Sequence, residues 1–204
     1  MDTSLILHII SGFTALASGT AAMVVKKGNK IHKAAGKIFF FAMLGVAFSG
    51  MWISYFKSNL FLFTISIFAL YQNVAGFRSI KNKSLQPNAV DYFFLLIGFV
   101  NGAIMVYTTN IVLIVFGGIQ LMLVLGDIRT FRKVRKGMIL PPLSWLRRHI
   151  GMKIGAYIAT ITAFLVVNVN NVQPYWVVWL APTAVFIPLM IYWTKKHTQP
   201  KVRA

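Results

Sequence analysis

The chain has 204 residues, 57% of them hydrophobic and 12% charged, with a formal net charge of +18 and a mean hydropathy of +0.70. A soluble domain carries roughly 25% charged residues, so this surface is not built for water. Disulfides and thiolate chemistry are excluded because Cys is absent, and the only carboxylates, Asp2, Asp91 and Asp127, leave little material for paired-carboxylate catalysis or acidic metal cages.

Seven apolar runs follow in chain order, over about residues 4–26, 36–56, 59–77, 91–109, 110–127, 148–169 and 174–194. Each is near the roughly 20 residues a helix needs to cross hydrocarbon. The first opens on Met1-Asp2-Thr3-Ser4, with no basic residue ahead of it. It therefore reads as an uncleaved spanning helix and not as a secretory leader. Breakers separate the runs at Lys27-Gly28-Asn29, Lys57-Ser58-Asn59, Gln86-Pro87-Asn88, Thr109-Asn110, Pro141-Pro142 and Gln173-Pro174. The turn between runs four and five, within Tyr107 to Val112, must be tight. None of the runs alternates with the period of two that a spanning strand requires. The expected fold is an all-α integral membrane protein, one seven-transmembrane-helix bundle domain over residues 1–204.

Charge orients that bundle. Lys26, Lys27, Lys30, Lys33 and Lys37 flank the first connection, and Arg78, Lys81 and Lys83 the third. The fifth has Arg129, Arg132, Lys133, Arg135, Lys136, Arg147 and Arg148, and the tail has Lys195, Lys196, Lys201 and Arg203. Nineteen of the 21 Lys and Arg residues thus fall on one side, leaving Lys57 opposite and Lys153 inside span six. The positive-inside rule then predicts an N-terminus outside and a C-terminus in the cytoplasm. Basic residues placed between apolar runs argue for lipid headgroups as the partner and against nucleic acid. Trp52, Tyr55, Tyr175, Trp176, Trp179, Tyr192 and Trp193 fall at the expected interfaces.

Small residues allow helices to approach in lipid. Gly12, Ala15, Gly19 and Ala22 in span one, Ala42, Gly45, Ser49 and Gly50 in span two, and Gly151, Gly155, Ala159 and Ala163 in span six predict that these three spans touch at the centre. Spans three and seven, rich in Phe and Trp, are expected to face lipid.

Ionisable groups inside a membrane are costly and mark candidate sites. His8 and Ser11 form an outer-side polar site. His8 and His32 each have a glycine four residues on, Gly12 and Gly36, which predicts room for the imidazole against a neighbouring backbone. On the inner side, His32, Lys33 and Lys37 at the start of span two should neighbour Arg147, Arg148, His149 and Lys153 at the start of span six. Both helix N-termini would then direct positive dipole ends at one place, a pocket for an anionic ligand or lipid headgroup. His32 and His149 are also candidate axial ligands of a haem, which needs only two facing imidazoles. A structural metal site is not expected, because His8 lies on the wrong side to complete a ligand set. Asp91 suits a helix N-terminus, and Asp127 needs an Arg partner such as Arg129, Arg132 or a basic residue of another loop. Tyr71, Gln72, Asn73, Asn101, Gln120, Tyr157 and Thr160 are candidates to line an interior polar track.

The segments HIISGFTALASGTAA (8–22), KGNKIHKAAGKIFFFAM (27–43) and RRHIGMKIGAYIATITAFLVVN (147–168) resemble a family of uncharacterised bacterial multi-pass membrane proteins, a domain of unknown function, over nearly the whole chain. His8, Gly12, His32, Gly36, Arg147, Arg148 and His149 carry the likeness. It implies a bacterial cytoplasmic membrane and no particular activity. No nucleophile triad, P-loop or dinucleotide fingerprint is present, so the leading expectation is a non-enzymatic transporter or sensor. Two alternatives are a haem- or quinone-associated electron-transfer subunit and a structural or assembly partner, with a second copy or another membrane protein beside it.

Overall fold

A computed structural model of the protein describes residues 3–169 and 171–198. Asp2, Lys201 and Arg203 lie outside the described residues. The described residues form seven helices and no strand: α1 (Thr3–Val24), α2 (Lys30–Phe56), α3 (Leu60–Lys81), α4 (Ala89–Tyr107), α5 (Ile111–Arg135), α6 (Ser144–Asn168) and α7 (Trp176–Thr198). All seven are long and apolar enough to cross a membrane.

Asparagine starts four of them. Asn29, Asn59, Asn88 and Asn110 each accept a backbone N–H of the following first turn, at α2, α3, α4 and α5. A side-chain cap of this kind contributes about 1 kcal/mol. At α4 the cap is reciprocal, because the Asp91 carboxylate also accepts the Asn88 N–H at 3.0 Å. Asn110 makes the expected tight turn possible, capping α5 three residues after α4 ends. Helices α2, α3, α5 and α6 run further than their apolar runs, through Lys30, Lys81, Arg135 and Ser144. Lys and Arg are good helix formers and favour a helix C-terminus, so α3 and α5 continue past the hydrocarbon into their basic flanks.

The packing departs from expectation at α3. It is the most buried helix, touching α2, α4, α5 and α6, whereas α7 is the least buried. The Phe content of α3 suggested lipid, but its polar side chains decide the matter. Thr64, Ser66, Tyr71, Gln72, Asn73 and Ser79 are all buried, and polar groups in a span turn towards protein. Spans one, two and six do meet in one cluster, Ala15, Phe39, Met43, Ala156 and Tyr157, with Ala69 of α3 among them. However, α2 reaches α6 through side chains, as where Thr160 donates to the Met43 sulfur at 3.0 Å. The main neighbours of α6 are α3 and α7.

The small residues serve side chains more than backbones. A Cβ at Gly19 would meet the Tyr157 ring at 2.6 Å, and one at Gly155 would collide with the Gln72 carboxamide oxygen. Gly12 and Gly36 open onto free space instead. The His-to-Gly spacing therefore creates no recess for either imidazole; the glycine beside the His8 ring is Gly50 of α2, where an added Cβ would meet it at 3.5 Å.

Candidate functional site

The basic residues gather at one end of the bundle through contacts between distant connections. The Lys27 ammonium lies 5.1 Å from the Trp193 ring of α7, and that of Lys83 lies 5.0 Å from the Trp145 ring of α6. Lys27 also closes α1, donating to Ala22 O at 3.1 Å and to Met23 O. Burial there lowers its pKa from the ordinary lysine value.

The first turns of α6 supply three polar groups with different fates. Arg148 donates to Asp127 from Nε (2.6 Å) and Nη2 (2.7 Å), and from Nη1 to Ala75 O (2.7 Å) and Ser79 Oγ (2.8 Å). Tyr71 donates its hydroxyl to the same carboxylate at 2.6 Å. Arg148 is thus committed to holding α3, α5 and α6 together and has little left for an anion. Asp127 passes over Arg129 and Arg132, which are exposed, because residues two and five positions along a helix do not share its face. The second carboxylate, Asp91, is held in a bidentate pair by Arg78 at 2.7 Å.

His149 turns the other way and bonds through Nδ1 to Gly76 O of α3 at 2.9 Å. Across the site, His32 bonds through Nδ1 to Ala22 O of α1, also at 2.9 Å. A carbonyl only accepts, so each neutral ring carries its proton on Nδ1 and leaves the Nε2 lone pair available.

Lys153, one turn deeper than His149, donates to Asn73 Oδ1 at 2.7 Å and Asn73 O at 3.0 Å. Its ammonium lies over the rings of Phe39, Phe40 and Phe77, at 5.4, 5.0 and 5.8 Å. Asn73 is itself fixed by donating to Phe40 O at 2.9 Å, and Phe40 stacks on Phe77 at 4.1 Å. Both Lys153 and His32 lie within electrostatic reach of His149. Among the described residues no carboxylate lies within ion-pair distance of Lys153, since Asp91 and Asp127 are paired to Arg78 and Arg148.

The structure places His149 and Lys153 side by side against α3, at Gly76 and Asn73, while His32 is bonded to the α1 carbonyl of Ala22. Lys33 and Arg147 are exposed at the same end. Lys37 lies apart, in a groove of about 340 Å³ between α1 and α2 beside Ser11, Thr14 and Phe41. Asn73 and the aromatic residues around Lys153 went unrecognised as a unit, although an Asn in the middle of an apolar run and the adjacent Phe39-Phe40 were visible signals. At the opposite end, His8 Nδ1 meets Ser49 Oγ at 2.9 Å, while Ser11 lies against Gly45. The polar-track candidates split into local pairs: Tyr157 with Thr20 (2.8 Å), Asn101 with Thr64 O (3.0 Å), Tyr71 with Asp127 and Asn73 with Lys153.

Residues 5–89, spanning α1 to the start of α4, match a family described as "Predicted membrane protein (DUF2306)". The protein is a multi-pass membrane protein. The match takes in the first two histidine segments, and the third, at 147–168, lies beyond it. No curated protein and no solved structure is significantly similar to the chain.

Proposed function

We propose that this multi-pass membrane protein binds an anionic group, a lipid phosphate or an acidic small molecule, at the end of the bundle that holds His32, His149 and Lys153. Lys33 and Arg147 form the basic rim of that site. The observation that carries the reading is the Lys153 ammonium, held within a span with no carboxylate partner among the described residues. A cation at the centre of a spanning helix costs roughly 2.5–3.5 kcal/mol on insertion scales. Two hydrogen bonds donated to Asn73 and three aromatic faces offset that cost, but none of them neutralises the charge. The basic end faces the cytoplasm by the positive-inside rule, in the inner membrane of a bacterium, and the activity is that of a transporter or sensor.

The test is retention of anions by detergent-purified protein, read by native mass spectrometry with phosphatidylglycerol and with inorganic phosphate as separate probes. Lys153→Met should weaken retention of one of them more than Lys196→Met on α7 does. Equal effects would reduce the cluster to generic basic charge.

One observation favours a second reading, an electron-transfer subunit. The Nδ1–H tautomer of both His32 and His149 leaves two Nε2 lone pairs free, as axial ligation of haem iron requires. Neither the α1–α2 groove nor the cleft beside Trp145 is lined by these histidines. A visible absorption spectrum of protein purified without added haem and after haem addition decides it, and absence of a Soret band in both removes it.

A further inference from the structure

The α5–α6 connection presents a feature that the anion site does not use. Helix α5 ends in a sharp reversal at Gly137 (φ 72°), where Gly137 N–H donates to Val134 O at 2.9 Å and Met138 N–H to Lys133 O at 3.0 Å. This hydrogen-bonded C-cap ordinarily folds the residue after the glycine back onto an apolar neighbour in the last turn. Here that neighbour is Lys133, and the chain instead leaves Met138 at 52% and Ile139 at 98% exposure. Pro141 and Pro142 stiffen the return to α6. Beside the turn is a cleft of about 290 Å³ lined by Lys83, Ser84, Val134, Leu140 and Trp145, with Met138 at its edge. The chain contains no acidic residue after Asp127, so Arg132, Lys133 and Lys136 flank this connection unopposed.

We propose that the α5–α6 connection inserts Met138 and Ile139 into the headgroup boundary of the adjoining leaflet and takes one anionic phospholipid headgroup in the neighbouring cleft, against Lys83 and Trp145. A fully exposed Ile on a stiff turn between two spans has lipid within reach, and insertion removes it from water. Trp is an interface residue, and the Lys83 contact sets the Trp145 ring level with the end of α3. Charge selects the lipid, since an unopposed basic rim favours anionic headgroups over zwitterionic ones. The residues involved are separate from His32, His149 and Lys153.

The experiment uses the native absence of Cys. Ile139→Cys carries an environment-sensitive fluorophore in full-length protein, placed in nanodiscs of phosphatidylcholine with or without phosphatidylglycerol. Emission should shift to the blue, and quenching by spin-labelled lipid should rise, when phosphatidylglycerol is present. Adding Lys83→Met should raise the phosphatidylglycerol needed for half the effect about fivefold, the factor equivalent to roughly 1 kcal/mol per basic residue at a charged surface. Lys153→Met should leave the shift unchanged, which keeps this proposal distinguishable from the anion site. A probe that stays in water in both lipid compositions overturns the proposal. So does insertion equal with and without phosphatidylglycerol, or a shift that appears only when an acidic soluble protein is added.

Discussion

Arg148, in the first turns of α6, and Asp127, two turns before the end of α5, form a bidentate ion pair with only 11% and 5% of their side-chain surface exposed. Tyr71 and the Ala75 carbonyl bring α3 into the same node. Helices α3, α5 and α6 are therefore locked by one guanidinium. Breaking a buried pair by removing one partner costs about 3–5 kcal/mol, because the other charge is left uncompensated. Arg148→Met and Asp127→Asn should each lower thermal stability in detergent by that order. The double substitution should lose less than the sum, and strict additivity would show that the two residues do not interact.

Tyr71 adds a charge-assisted hydrogen bond to this node. Tyr71→Phe should cost about 1.5–3 kcal/mol, read as a lower midpoint in a thermal unfolding series. In an Asp127→Asn background the same substitution should have a much smaller effect. An undiminished effect there would assign Tyr71 a packing role instead.

Gln120 of α5 is fully buried at 0% exposure, with neither amide atom hydrogen-bonded. It lies against Gly98 and Gly102 of α4, where an added Cβ would meet it at 2.8 and 3.1 Å. An unsatisfied buried polar group costs about 1–3 kcal/mol, so Gln120→Met, close in volume, should raise stability. A drop in unfolding temperature would reveal that the amide is bonded in the membrane.

Gly155 admits the Gln72 side chain, and a methyl group there would displace it. Overpacking of this kind costs typically about 1–3 kcal/mol. Gly155→Ala should destabilise the α3–α6 contact, and Gln72→Ala in the same chain should restore much of the loss. Failure of that rescue would mean that the glycine serves the backbone and not the glutamine.

Orientation is tested with single cysteines in this Cys-free chain. With an impermeant maleimide, Lys57→Cys should label on intact cells, and Lys133→Cys only after the membrane is permeabilised. Labelling of both from one side would refute the seven-span arrangement.

Reading the spans required only local information. Apolar runs, Asn caps and basic flanks each act within a few residues, so α1 to α7 were visible in the linear order, with their ends displaced by a few residues and α5 running furthest beyond its apolar run. The site was partly visible. A lysine inside span six and histidines at two span starts stood out because a membrane makes such groups expensive.

What the chain order could not contain is the rotation of each helix and its choice of neighbours. Arg147, Arg148 and His149 are consecutive, yet one is exposed, one is bound to Asp127 and one to Gly76. Phe-rich α3 became the centre because its polar side chains needed partners that lipid does not supply. Composition and periodicity determined a basic-ended bundle of spans. The tertiary structure alone decided that Lys153 would find Asn73, eighty residues away, because that contact depends on how α3 and α6 face each other.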